Sequence, residues 1–389
     1  MRDETERAAA LMVDFAERTG LGGEGEPRRY LWTDAFALMN ALDLHLETGE
    51  DRWREMASDL IAEVHGVLGR HRPDDPRSGW LSGLDAAEGA RHPTRGGLRI
   101  GKPLPERGPG EPHDERLEWD REGQYWHYLT KWMDALSRAG ARLDEPRRQA
   151  EAVELARAAF PRFLRRSASG EPIGLAWKMD VALTRPQVAG VSPHDALDGY
   201  VTFRWLGRTG ADAGLAEETA ILHRLCADRN WATADPLGLG GLLMDAMRLA
   251  ALPGRSGDDE RLISDILAGV EAGLAHFLRS GGLEAPASRR LGFRELGLAI
   301  GLRALGAISE AAETSGSLAR AAGPRLEALR DRAGVGDRLV AFWADPGARR
   351  AASWTGHRDI NEVMLATALL DAFVDTARPG TTPGGAPAP

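Results

Sequence analysis

The feature that most limits what this chain can fold into is a succession of twelve helical segments with a fixed grammar. Six times over, a helix with a single apolar stripe is followed by one that is apolar on most faces. The pairs are 4–19 with 31–48 (LWTDAFALMNALDLHLET), 51–70 with 120–139, 145–166 with 195–209, 212–229 with 236–251, 258–279 with 291–309, and 317–343 (interrupted near Gly334) with 358–376. No segment keeps the alternation of a half-buried strand, and Gly/Pro clusters such as GLGGEGEP punctuate the helices. A helix apolar on most sides belongs inside, and a one-striped helix belongs outside. Six inner helices ringed by six outer ones predict an all-α fold, an (α/α)6 toroid forming one domain over residues 1–378. A stacked solenoid gives similar alternation, but with even repeats and short connections. Here the connections 72–117 and 167–193 are long. The tail 379–389, PGTTPGGAPAP, cannot build a core and is expected to be disordered.

Composition removes several function classes. A net charge of −9 argues against nucleic acid as a partner. The N-terminus lacks a signal-peptide apolar region, and no apolar run approaches the ~20 residues of a membrane span. A cytoplasmic protein, monomer or homodimer, with no membrane partner is therefore expected. Cys226 is the single cysteine, which excludes an internal disulfide framework and reads as a buried thiol. HExxH is absent, as is any His pair at i, i+4, so no metal site is expected. With no GxxxxGK[ST], no GxGxxG after a strand and no GxSxG, no cofactor is expected either.

One stretch stands apart. Residues 118–132, EWDREGQYWHYLTKW, read as a helix, put Asp120, Gln124, His127 and Lys131 on one face of an otherwise aromatic and apolar rod. Buried without partners, four polar side chains would cost several kcal/mol each, so the stripe is expected to face a wet cavity or a ligand. Lysine usage points the same way. Among 49 basic residues only Lys102, Lys131 and Lys178 are lysines, and lysine is the cation whose pKa its surroundings tune readily.

Polar and aromatic residues also gather at the starts of the other inner helices. Trp32 and Asp34 open the first, Trp119 and Asp120 the second, and His194, Asp195, Asp198 and Tyr200 the third. Trp354, His357 and Glu362 open the sixth, while Asp235 and Asp359 read most simply as N-caps. Inner helices of such a ring run parallel, so these starts would share one rim. The long loops enter that rim, 167–193 bringing Trp177 and Lys178, and 72–117 reading as a mobile flap. Carboxylates among aromatic faces are the equipment for gripping and cleaving sugars.

The six-pair grammar, with EWDREGQYWHYLTKWMDAL, YLWTDAFALMNALDL and HDALDGYVTF, resembles a bacterial branch of the six-hairpin glycosidase-like superfamily of (α/α)6 barrels. That resemblance covers about residues 4–377 and implies a carbohydrate substrate. It is shared by inverting glycoside hydrolases, unsaturated glucuronyl hydrolases, polysaccharide lyases and N-acylglucosamine 2-epimerase-type isomerases. No catalytic motif of any one of them is complete here, so the resemblance assigns no residue. Two readings compete for a small soluble saccharide. In a glycoside hydrolase, Asp120 would pair with Asp34, Asp195 or Asp198 as acid and base. In an epimerase, His127 with His194 or His357 would exchange a proton at carbon, with Lys131 or Arg294 stabilising the enediolate. Trp32, Trp119, Gln124, Tyr128, Lys131, Trp177, Lys178, His194, Tyr200, Trp354, His357 and Glu362 are the expected substrate contacts. A polysaccharide lyase and a non-catalytic scaffold are weaker alternatives.

Overall fold

A computed structural model describes residues 2–370 apart from 24, 109, 193 and 210–213; the expected disorder of the tail lies outside the described residues. The helices are α1 (Arg2–Thr19), α2 (Leu31–Thr48), α3 (Asp51–Leu68), α4 (Ala86–Arg91), α5 (Glu115–Glu118), α6 (Trp126–Arg142), α7 (Pro146–Phe163), α8 (Asp195–Leu206) and α9 (Ala216–Cys226). They continue as α10 (Pro236–Ala250), α11 (Gly257–Arg279), α12 (Gly292–Glu313), α13 (Gly316–Arg330), α14 (Gly334–Ala344), α15 (Ala352–Thr355) and α16 (Arg358–Leu370). Four short strands, β1 (Gln124–Tyr125), β2 (Leu164–Arg166), β3 (Pro172–Leu175) and β4 (Lys178–Met179), pair antiparallel as β1–β4 and β2–β3. Among the described residues no helix is long and apolar enough to cross a membrane.

The chain divides into two compact units, residues 13–227 and residues 1–12 with 228 onward. In the first, α2 packs on α6 and α6 on α8, with α3, α7 and α9 as their partners. Every residue of α2 from Leu31 to Leu44 is buried, as its all-round apolarity demands. Gly49, at φ 69°, then reverses the chain into α3 with its N–H on the His45 carbonyl. Trp126 anchors the unit, ringed by Phe160, Phe163 and Phe203 at centroid distances of 6.2, 5.5 and 6.0 Å. Its indole N–H reaches the Asp195 carbonyl at 2.9 Å. Gly199 makes this approach possible, since a Cβ there would stand 2.9 Å from the Trp126 ring.

The connection 72–117 is not a free flap. Its Leu98–Ile100 segment is buried and is tied to the end of α3, the start of α2 and the residue before β1. Arg99 N–H bonds Leu68 O (2.9 Å), Ile100 N–H bonds Gly123 O (2.9 Å), and Leu31 N–H bonds Ile100 O (3.0 Å). The side chains seal it. The fully buried Glu122 accepts from Arg99 Nη1 at 2.5 Å and from Gly101 N–H at 3.1 Å. Arg99 also donates to Arg70 O and Val67 O at 2.6 and 2.7 Å. A flap needs backbone exposed to water; here the backbone and its guanidinium are consumed by protein acceptors.

In the second unit α10 packs on α12 and α12 on α16, with α11, α13 and α14 against them. Glycine sets how closely α10 and α12 approach. A Cβ on Gly240 would sit 2.0 Å from the Gly297 carbonyl oxygen, and one on Gly301 2.6 Å from Gly240 Cα. The segment 317–343, read as one interrupted helix, is two, α13 and α14, divided just before Gly334. Gly240→Ala is expected to lower stability by about 1–3 kcal/mol, because a backbone carbonyl cannot swing aside as a side chain can. Gly241→Ala, whose methyl meets open space, should be neutral or stabilising by up to about 1 kcal/mol. Urea denaturation of the two variants checks the contrast.

Candidate functional site

The expected stripe of four polar residues breaks at Tyr125. Gln124 and Tyr125 pair with Met179 and Lys178 in the β1–β4 ladder, so their backbone is extended and α6 starts only at Trp126. Asp120 consequently lies exposed on the turn after α5 rather than on a helix. Gln124 is fully enclosed. Its Oε1 accepts from Leu98 N–H at 2.9 Å, and its Nε2 donates to Gly96 O and Val181 O at 3.1 and 2.8 Å. It ties together the two long connections, 72–117 and 167–193, and its full burial keeps it from a substrate, which corrects its expected role.

His127 and Lys131 remain on one face of α6, and that face meets the start of α8. Lys131 Nζ donates to Asp198 Oδ1 at 2.7 Å, and Thr130 Oγ1 donates to Asp198 Oδ2 at 2.5 Å. One turn earlier, His127 Nδ1 stands 3.7 Å from Asp195 Oδ1, too far for a hydrogen bond. His127 Nδ1 and Asp195 Oδ2 are both enclosed with no hydrogen-bond partner. Such orphaned polar atoms are costly, and at a cavity wall they mark where a ligand hydroxyl or a water completes the set. Electrostatics separates the pair further. Burial, reinforced by the Asp198 charge, pushes the Asp195 carboxyl up to about 8, against the Ser192 hydrogen bond and the Lys131 charge. Burial pulls His127 down to about 4, although its side chain keeps 27% of its surface open. At neutral pH this is a protonated carboxylic acid facing an uncharged imidazole.

An aromatic wall surrounds the pair. Trp32 packs against His127 and Tyr128 at 6.0 and 5.4 Å, and the Tyr30 and Tyr128 hydroxyls bond at 2.7 Å. Tyr125 lies 5.0 Å from Tyr128 and stacks on Trp119 at 6.1 Å, which in turn meets Trp177 edge-on at 5.1 Å. Trp119, Tyr128 and Trp177 are half-buried, so part of each ring faces outward. Residues 32, 119, 128 and 177, far apart in sequence, thus form one continuous surface next to His127.

Other expectations do not survive. Asp34 is 1% exposed, accepts from Tyr30 N–H at 2.8 Å and pairs with the buried Arg29 at 3.3 Å. It fastens the start of α2 and is not offered to a ligand. Lys178 is fully buried; Nζ donates to the Glu118 and Arg121 carbonyls and lies 5.4 Å over the Tyr125 ring. Burial lowers it to about 8, and its role is to hold the turn that carries Trp119 and Asp120. Tyr200 lies two residues beyond Asp198, a rotation of about 200°. It therefore faces α9, with its hydroxyl on Arg204 at 2.6 Å and its ring 5.0 Å from His223. His194 is half-buried just before α8.

Trp354, His357 and Glu362 belong to the second unit and have local roles there. Trp354 stacks on Trp343 at 5.3 Å, His357 packs on Phe293 at 5.7 Å, and Glu362 pairs with Arg358 at 2.7 Å. Asp235 caps α10 through Gly238 N–H at 3.1 Å, as expected of an N-cap, and also holds Arg294 at 2.6 Å. Cys226 is buried, as expected. Thr130 escaped the sequence reading, although its spacing of three from His127 was the available signal.

The pH dependence of stability tests the Asp195 assignment. An unfolded Asp ionises near pH 3.9, so between about 4 and 8 the folded chain keeps a proton that the unfolded chain has released. Stability from this group is therefore full below that window and is lost as pH rises through it. Asn mimics the protonated acid, so Asp195→Asn should show a smaller fall in Tm between about pH 5 and about pH 8 than the wild type. Equal slopes would show that the carboxyl is not held protonated.

No protein-family profile and no curated protein matches the sequence. Solved structures do match. A sugar epimerase from a ruminal bacterium superposes with a TM-score of 0.54 at 11% identity, covering 94% of this chain and 98% of that one. A family 76 glycoside hydrolase from a bovine Bacteroides thetaiotaomicron strain gives 0.53 at 10% identity, covering 96% and 77%. At such identities the likeness establishes the fold alone: the chain has the all-α (α/α)6 fold of these two structures.

Proposed function

We propose that this chain is a carbohydrate-active enzyme, and within that class a glycoside hydrolase-like one acting on a small soluble saccharide. The observation that carries the reading is the buried Asp195 carboxyl, raised to about 8, beside an ion-paired Asp198 and under an aromatic wall. A general acid must hold its proton at working pH, and burial next to a second carboxylate is how a protein arranges that. Asp195 would protonate the leaving oxygen. Asp198, with its oxygens taken by Lys131 and Thr130, positions Asp195 electrostatically rather than touching substrate. Asp120, exposed on the turn beside Trp119, is the open carboxylate for activating water. The half-buried faces of Trp119, Tyr128 and Trp177 suit the C–H surfaces of a sugar ring. The hydrolase and epimerase on the same fold are compatible with this class, and fold alone does not choose between them.

A second reading rests on His127, an uncharged imidazole with an unbonded Nδ1. It could take a proton from carbon, as an epimerase requires.

A panel of aryl glycosides and reducing sugars separates the two. The hydrolase reading expects release of aglycone, a fall of about 10²–10⁴-fold in kcat/KM for Asp195→Asn and Asp120→Asn, and loss of the alkaline limb near pH 8 in Asp195→Asn. The epimerase reading expects deuterium from heavy water at a sugar carbon, abolished in His127→Asn. Cleavage unaffected by Asp195→Asn would sink the first, and absence of exchange the second.

A further inference from the structure

The unit formed by residues 13–227 carries a second recess, which the reading above does not use. It has a volume of about 910 Å³ and lies between the end of α4, the α6–α7 turn and α7. Its walls bring together Arg91, His92, Arg95, Arg147 and Arg157, with Glu151 and Glu154 as the lining acids. In a chain of net charge −9, an excess of cations around one hollow runs against the average.

The two acids are already spent within the wall. Glu151 is 4% exposed and takes Arg147 at 2.9 Å and Arg148 at 3.2 Å. Glu154 takes His92 Nδ1 at 2.6 Å and Thr94 Oγ1 at 2.9 Å. These bonds fix the guanidinium and imidazole stems without using up their donors, since a guanidinium has five. Arg147 spends one on Glu151 and another on the Ala90 carbonyl, and Arg91 one on Glu88. Arg95 is exposed, and its side chain makes no hydrogen bond or ion pair among the described residues. Arg147 and Arg157 are ten residues apart on α7, about 15 Å along its axis. The recess is thus an elongated trough with cations at both ends.

We propose that this trough binds a small-molecule polyanion bearing at least two phosphate or carboxylate groups. Fork-shaped guanidinium donors bind either oxyanion in a bidentate manner, and several around one hollow favour a ligand with more than one such group. Gly140, in the trough, lies thirteen residues along α6 from His127, about 20 Å of helix. A ligand here therefore does not touch the His127–Asp195 pair.

Isothermal titration calorimetry with sodium tripolyphosphate, citrate and inorganic monophosphate, at constant ionic strength, tests this. Tripolyphosphate or citrate should bind the wild type and raise its Tm, with monophosphate at least about ten-fold weaker. Which of the two binds tighter identifies phosphate or carboxylate as the preferred group. Arg95→Gln/Arg157→Gln should lose about ten-fold or more in affinity, and Arg95→Glu/Arg157→Glu should show no binding. Asp195→Asn should bind like the wild type. Silence of the wild type toward all three probes, equal affinity for monophosphate, or wild-type binding by the Gln pair overturns the proposal. If the Glu pair fails to fold, the Gln pair still decides.

Discussion

A single buried carboxylate organises the unit that holds the candidate site. Glu122 has no contact with water and must be satisfied by protein alone. Arg99 supplies the charge, and the Gly101 and Gly123 N–H groups fill the remaining lone pairs. Because Arg99 also spends its donors on the end of α3, one ion pair joins the loop 72–117, α3 and the segment that leads into α6. Gln187 Nε2 adds the other long loop through the Glu122 carbonyl at 3.1 Å. The entry to α6, and the aromatic residues on it, are located by these bonds rather than by helix propensity.

What this scaffold holds is electrostatically uncomfortable. Asp195 is buried with an unbonded oxygen, and His127, half-buried, has an enclosed, unbonded Nδ1. Both would be better off in water, and each shifts its proton affinity toward its neutral form. Lys131 and Thr130 give their hydrogen bonds to Asp198, not to Asp195. A structure selected for stability alone would replace such a pair with apolar side chains, so the discomfort itself points to use. The aromatic wall beside it excludes water on one side and so maintains the shifts.

Elsewhere the same chain solves comparable problems completely. Arg290 meets Glu295 through three contacts of 2.6–3.0 Å and stacks over Phe342, and Trp343 Nε1 gives Glu295 a further donor at 2.7 Å. Arg29 pairs more loosely, with Asp34 at 3.3 Å and Glu63 at 3.6 Å. At the start of α8, by contrast, two titratable side chains 3.7 Å apart each keep an enclosed atom with no hydrogen-bond partner.

The sequence by itself determined the helical class, the six-pair grammar, the span of α2 and the break before Gly334. All of these follow from periodicities and punctuation within about twenty residues, where one backbone geometry repeats and the pattern of burial is written directly. It also marked Trp32, Trp119, His127, Tyr128, Lys131, Trp177, Asp195 and Asp198, since polar and aromatic residues at the start of an apolar helix are visible without coordinates. Tertiary structure decided where α6 begins, because the strand that holds Gln124 and Tyr125 extended pairs with residues 178 and 179, more than fifty positions away. The same long-range pairings turned Gln124 and Lys178 into struts, locked Asp34 onto Arg29, and put Asp120 on an exposed turn instead of on α6. Which buried carboxylates find partners depends on groups brought in from distant segments, and no local pattern records that.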